Sequence, residues 1–327
     1  MKPAQNSSAL GGSIMQRTIQ QLRQPISIRA KQYFAKTWVF YVLLVPALLD
    51  VLVFQYIPMY GVQIAFRRYK ASQGIWGSKW VGLKYILQFM HSPNFWRLIR
   101  NSLLLSCYTL LFTFPIPILL AIMINEQRHR KLKRFTQMIT YMPHFISMVA
   151  VVGILTFMVD RQAGVINQIR ALFGKEGIAY MSQASAFRTL YVSSEIWQHS
   201  GWNAIIYIAA LSTCDPEIVE AARIDGANRI QKILFLDIPI ILPTIVVLLV
   251  LSTGSLLNVG FEKAFLMQCD LNMNVSEIIS TYVYKLGIQQ GQFSYTTAIG
   301  LFNNAVNGVI LIIVNTIAKK LSGTSLW

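Results

Sequence analysis

The feature that most constrains this chain is the recurrence of apolar runs about 20 residues long, each bounded by polar or basic segments. A run of that length matches the ~30 Å hydrocarbon core of a bilayer, where backbone groups must pair within their own segment, so helices are expected. The runs fall at 38–61, 101–125, 138–159, 190–211, 238–261 and 296–318. With 54% of its 327 residues hydrophobic and 13% charged, the chain reads as an all-α integral membrane protein of six transmembrane helices. The membrane domain is expected over 38–320, between a basic N-terminal tail, 1–37, and a short C-terminal tail, 321–327.

The formal charge of +16 could indicate nucleic acid, but no single basic cluster dominates, and the charges flank the apolar runs. No cleavable signal peptide is expected, since the first apolar run starts late and is long. The short loop Glu126-Gln-Arg-His-Arg-Lys-Leu-Lys-Arg134 is the sharpest topology marker. By the positive-inside rule it lies in the cytoplasm, and six spans then put both termini there too. The overall count is less decisive, with 16 of the 29 Lys and Arg inside and 13 outside. Cys107, Cys214 and Cys269 lack metal-type spacing, so no metal site is expected, and Gly174-Lys175 is followed by Glu176, which excludes a phosphate-binding loop.

Between the spans, 62–100 reads as a polar-aromatic connection. Val81, Tyr85, Ile86, Phe89 and Met90 predict a short interfacial helix, and Asn94 a cap for the next one. Pro115 and Pro117 predict a kink in the second span. Asp50, inside the first span, is expected to face protein rather than lipid.

One polar stretch separates the fourth and fifth spans, over 213–237. Asp215-Pro216 is a helix start, with Glu217 at its positive end. Asp225-Gly226 breaks that helix, and Ala227 to Phe235 predicts a second. Periodicity alone leaves this as either an amphipathic loop or a docking handle. The literal pattern Glu220-Ala221-Ala222, then Asp225-Gly226-Ala227, then Leu236-x-Ile238-Pro239 resembles the EAA loop of ABC importer permeases. That pattern usually closes on Ile-x-Leu-Pro, so the departure is a conservative swap. Val81-Gly-Leu-Lys-Tyr85, Pro93-Asn-Phe-Trp96, Tyr141-Met-Pro-His-Phe-Ile-Ser147, Asn203-Ala-Ile-Ile-Tyr207 and Ser325-Leu-Trp327 are similar to the branch of that family handling oligo- and polysaccharides, alginate importers included.

The resemblance implies a type I importer permease in the bacterial inner membrane, itself no enzyme and without a cofactor. A second homologous permease, an ATPase dimer carrying ATP and Mg, and an extracytoplasmic solute-binding protein are the implied partners. Glu220, Ala221, Ala222, Asp225, Gly226 and Ala227 would form the coupling contact, with Glu220 meeting a basic group, the alanines allowing close packing and Gly226 setting the bend.

A sugar path needs hydrogen-bonding groups and aromatic faces. In the fourth span Glu195, Gln198, His199 and Trp202 share a helical face, with Trp197, Asn203 and Tyr207 nearby. Ser255, Asn258 and Glu262 are expected to share a face of the fifth span, and Asn304 and Asn307 to lie together on the sixth. Tyr141 and His144 are further candidates. Any one of these residues taken singly reads as a bond to a neighbouring helix, while the collection reads as a cavity lining. The spans hold few Lys or Arg, so selection of an anionic sugar does not follow. The alternative is an ion-coupled sugar carrier using Asp50, Glu195 and Glu262. A membrane enzyme built on His144, His199 and Glu195 lacks metal or nucleophile spacing.

Overall fold

The computed structural model describes residues 26–322 apart from 255 and 259, with side chains from 35 to 320. The expectations for most of the N-terminal tail, for Ser255 and for Ser325-Leu326-Trp327 lie outside the described residues. The chain forms two compact units, divided after Val62.

The first unit is a helix. α1 (Ile26–Val51) passes through a π-turn at Leu52–Tyr56 into Ile57–Met59. Asp50 is exposed on it.

The second unit begins with a hairpin that the sequence did not signal, β1 (Arg67–Lys70) against β2 (Ser78–Trp80), antiparallel with Arg67 opposite Trp80. The guanidinium of Arg67 donates to the Trp76 and Ser78 carbonyls and lies over the Trp76 and Trp80 rings. The expected short helix follows as α2 (Lys84–Met90), with Phe89 fully buried. Asn94 stands at the N-cap of α3 (Phe95–Thr113), but its side chain makes no capping bond. The helix breaks at Phe114 and resumes as α4 (Pro115–Asn125), because Pro115 has no N–H for the preceding turn.

The third apolar run is not one straight helix. α5 (Arg130–Tyr141) and α6 (Met148–Met158) meet at 102°. Pro143 sits in the 3₁₀ turn Met142–Phe145 between them, and Ser147 restarts the helix by accepting from the Ala150 N–H. α7 (Val165–Leu172) lies in the following loop.

α8 (Ala184–Leu211) is the centre of the second unit and supplies side chains to two of its three apolar cores. Phe187, Tyr191 and Val192 pack with Leu105, Val152 and Ala264. Ala204, Tyr207 and Leu211 pack with Ala121, Ile122 and Ile241. Between them Gly201 passes the α5 backbone so closely that a Cβ would stand 1.9 Å from the Thr140 carbonyl oxygen. The third core joins Phe89, Phe95 and Leu98 to Ile279, Tyr295 and Ile299.

After α9 (Pro216–Ile224), α10 (Arg229–Lys232) continues through a π-turn at Ile233–Asp237 into α11 (Ile238–Thr253). The expected separate second helix is therefore the start of the fifth apolar helix. Pro239 cannot give an N–H to Phe235, and the π-turn absorbs that defect. The same helix ends at Thr253 rather than at Phe261. Beyond it, Asn307 takes the Leu257 N–H, and Ser106 bonds the Leu256 carbonyl, drawing the backbone out of helical register. Three short helices, α12 (Phe261–Leu266), α13 (Met273–Ser276) and α14 (Ile279–Tyr284), lead to the 30-residue α15 (Phe293–Ser322).

Among the described residues, four helices are long and apolar enough to cross a membrane: Ala35–Phe66, Phe95–Asn125, Arg229–Thr253 and Phe293–Lys320. The bent α5–α6 pair would make a fifth. α8 has 28 residues, about 42 Å of helix, but Glu195, Gln198 and His199 make it more polar than these four.

Candidate functional site: an inner cavity and an exposed handle

Helices α3, α8 and α11 and the segment after α11, with Pro117 of α4 and Met148 of α6, line an open cavity of about 370 Å³. Its polar lining includes Ser106, Thr109, Glu195, Asn203, Tyr207 and Asn258, set among Leu110, Phe114, Ile206 and Leu248. Lys263 also reaches it. Its Nζ lies 2.7 Å from Glu195 Oε2 and 4.7 Å from the centre of the Tyr191 ring, and the residue is fully buried. Gly260 makes this approach possible, since a Cβ there would stand 2.9 Å from the Tyr191 hydroxyl.

Of the expected path residues, the cavity collects Glu195, Asn203, Tyr207 and Asn258. Behind Glu195, His199 Nε2 stands 3.5 Å from Oε1, and the His199 and His144 Nδ1 atoms are 3.1 Å apart, one ring donating to the other. His144 stacks flat on Trp202 at 4.4 Å. Gln198 is buried and donates to the Ile146 carbonyl, a structural role at the α5–α6 bend. Trp197 is exposed, and Tyr141 is half-buried outside the lining.

Two expected groupings are corrected. Asn258 and Glu262 do not share a helical face, because α11 ends before either, and Glu262 points outward while its neighbour Lys263 points in. Asn304 is exposed and does not join Asn307. Asn303 is the buried partner instead, donating to Asn258 Oδ1 at 2.6 Å. Lys263 and Asn303 carried no local signal. Their partners lie 68 and 45 residues away, and only the packing of α12 on α8 and of α15 on the segment after α11 brings each pair together.

The handle forms much as its residues dictate. The Asp215 carboxylate caps α9 by accepting the Glu217 N–H, and Pro216 takes the first turn. Gly226, at φ +79°, ends it. The Gly226 and Ala227 N–H groups donate back to Arg223 and Ala222, a Schellman ending that needs the left-handed glycine. Asn228 caps the next helix in a reciprocal box with Gln231. Glu220, Ala221, Asp225 and Gly226 are exposed, and Ala222 and Ala227 half-buried. Ile224 is 85% and Phe235 75% exposed, an apolar surface on a polar loop. The handle is tied to the end of α4, where the Lys232 ammonium bridges Glu126 and, at 3.1 Å, the buried Asp237.

Residues 113–323 match the family described as "Binding-protein-dependent transport system inner membrane component". The chain belongs to this family. It is thus a transport permease subunit, an inner membrane component. Protein LplB of Bacillus subtilis is 44% identical over 287 residues, covering 88% of this chain and 90% of that one. The polygalacturonan/rhamnogalacturonan transport system permease protein YteP of the same organism is 42% identical, over 86% and 87% of the two chains. Among solved structures, a chain of a bacterial ABC transporter importing the acidic polysaccharide alginate superposes with a TM-score of 0.82 at 37% identity, covering 90% of this chain and 99% of that one. The same TM-score and identity hold for a bacterial alginate ABC transporter solved with its periplasmic protein bound to an alginate pentasaccharide. The type I importer permease fold implied by the loop motif is therefore the fold of this chain.

Proposed function

We propose that this subunit carries an oligo- or polysaccharide across the inner membrane by alternating access, driven by a separate ATPase. That relatives are described with polygalacturonan/rhamnogalacturonan and with alginate supports an acidic polysaccharide as the cargo. The observation that carries the reading is the continuity of α10 and α11. One helix holds Lys232 in the handle and Leu248 and Ser252 in the cavity wall, about 30 Å of rod between them. A displacement of the handle is thereby a displacement of the wall.

In this reading Glu220, Ala221, Ala222, Asp225, Gly226 and Ala227 dock on the ATPase, which holds ATP and Mg, and the exposed Ile224 and Phe235 supply apolar contact there. A second, homologous permease completes the path, a solute-binding protein delivers the sugar, and six spans, α8 among them, leave both termini in the cytoplasm. Asn203, Tyr207 and Asn258 meet the sugar hydroxyls, and Glu195 lines the path beside them, paired with Lys263. His199 and the His144–Trp202 stack support Glu195 from behind.

The test is reconstitution of the full complex with its binding protein. Sugar-stimulated ATP hydrolysis is expected, and Glu220→Lys or Gly226→Pro should reduce it at least tenfold, the latter because proline can neither adopt φ +79° nor donate to Arg223. Full stimulation in both variants would refute the docking role of the handle.

A further inference from the structure

Among the described residues lining the cavity, Lys263 is the one Lys or Arg and Glu195 the one Asp or Glu, and they are paired with each other. A fully buried ammonium needs a counter-charge, and stripping it of one is strongly unfavourable. Exchanging one carboxylate for another is not. The two partners are also unequally committed. Lys263 has the Glu195 carboxylate and the Tyr191 ring face. Glu195 has a second neighbour one helical turn on, His199, itself held by His144, which Trp202 holds in turn. Glu195 can therefore swing toward His199 without being stranded, whereas Lys263 cannot leave without abandoning its carboxylate.

We propose that Lys263 is the specificity-determining residue of the cavity, binding the carboxylate of a uronate unit that takes the place of Glu195. This rests on the carbohydrate-import reading and names the residue that would recognise an acidic sugar. A neutral sugar brings nothing that can replace Glu195, so the pair stays closed and offers that sugar only hydrogen bonds from Asn203, Tyr207 and Asn258. A uronate opens the pair and gains a charge-assisted contact with a fully buried ammonium. The competing account, a fixed strut joining α8 to α12, makes a different set of predictions.

The experiment measures ATP hydrolysis by the reconstituted complex against tetragalacturonate, tetramannuronate and the methyl esters of both, which differ from the acids only in charge. The binding protein is common to every sample, so its own preference cancels between variants. Lys263→Gln should raise the half-saturating concentration of the free acids about tenfold, the range of one lost charged hydrogen bond, and leave the esters within about twofold. Glu195→Gln should shift the free acids the opposite way by freeing Lys263, and Lys263→Arg should retain the acid response. The double variant with both residues as Gln leaves no unpaired charge, so it assembles where a single variant fails, and it should lose the acid preference.

A strut predicts the same loss in both single variants and for acids and esters alike, and that result overturns the proposal. So does a wild type stimulated by the esters or by an arabinooligosaccharide but silent to the acids, while leaving the import reading intact. A wild type silent to every sugar overturns both.

Discussion

At the scale of single residues, two positions fix local geometry. Gly201 lets α8 cross α5 with the Thr140 carbonyl where a side chain would otherwise begin. Gly201→Val should force the helices apart and destabilise the subunit by about 1–3 kcal/mol, the usual range for overpacking. Gly300→Ala, in open space on α15, is the control. Thermal unfolding of the purified complex separates them, and equal stability of the two variants would remove the crossing from this account. The second position is Asn303, which holds Asn258 at the cavity rim. Asn303→Leu leaves that amide without its partner and should weaken sugar-stimulated ATP hydrolysis roughly fivefold, while the exposed Asn304→Leu should leave it unchanged. The reverse order of effects would restore the Asn304 assignment.

At the scale of elements, the handle is rigid for reasons written into its own residues, the Asp215 cap, the Gly226 ending and the Asn228–Gln231 box. Its attachment is a tertiary matter. Lys232 joins the start of the α10–α11 helix to Glu126 at the end of α4 and neutralises the buried Asp237. Lys232→Met strands that carboxylate and should cost about 3 kcal/mol of stability, within the range for a broken buried pair. Adding Asp237→Asn should recover most of the loss. Unfolding measurements on the single and double variants check this, and no recovery in the double would mean that Lys232 matters through Glu126 alone.

For the whole molecule, the arrangement of helices decides which polar groups act together. The apolar runs, the short helix before the second span and the first handle helix were legible because each depends on periodicity, capping or glycine within a few residues. The fourth run was legible as the polar one, and α8, carrying Glu195, Asn203 and Tyr207, is the helix around which two of the cores and the cavity form. Where the reading failed, the cause was a distant contact or an unseen break. The bend at Pro143 and the end of α11 at Thr253 cut two runs that hydrophobicity alone would continue. Asn303 rather than Asn304, and Lys263 rather than Glu262, follow from the rotation of helices whose phase is set by packing. By itself, then, the sequence determined the membrane class, the handle and its motif, because these are local properties of composition and spacing. Only the tertiary structure decided that the cavity holds a buried cation, that its counter-charge has a second partner, and that handle and cavity wall are one continuous helix. A salt bridge between positions 195 and 263 has no signature within either stretch of chain.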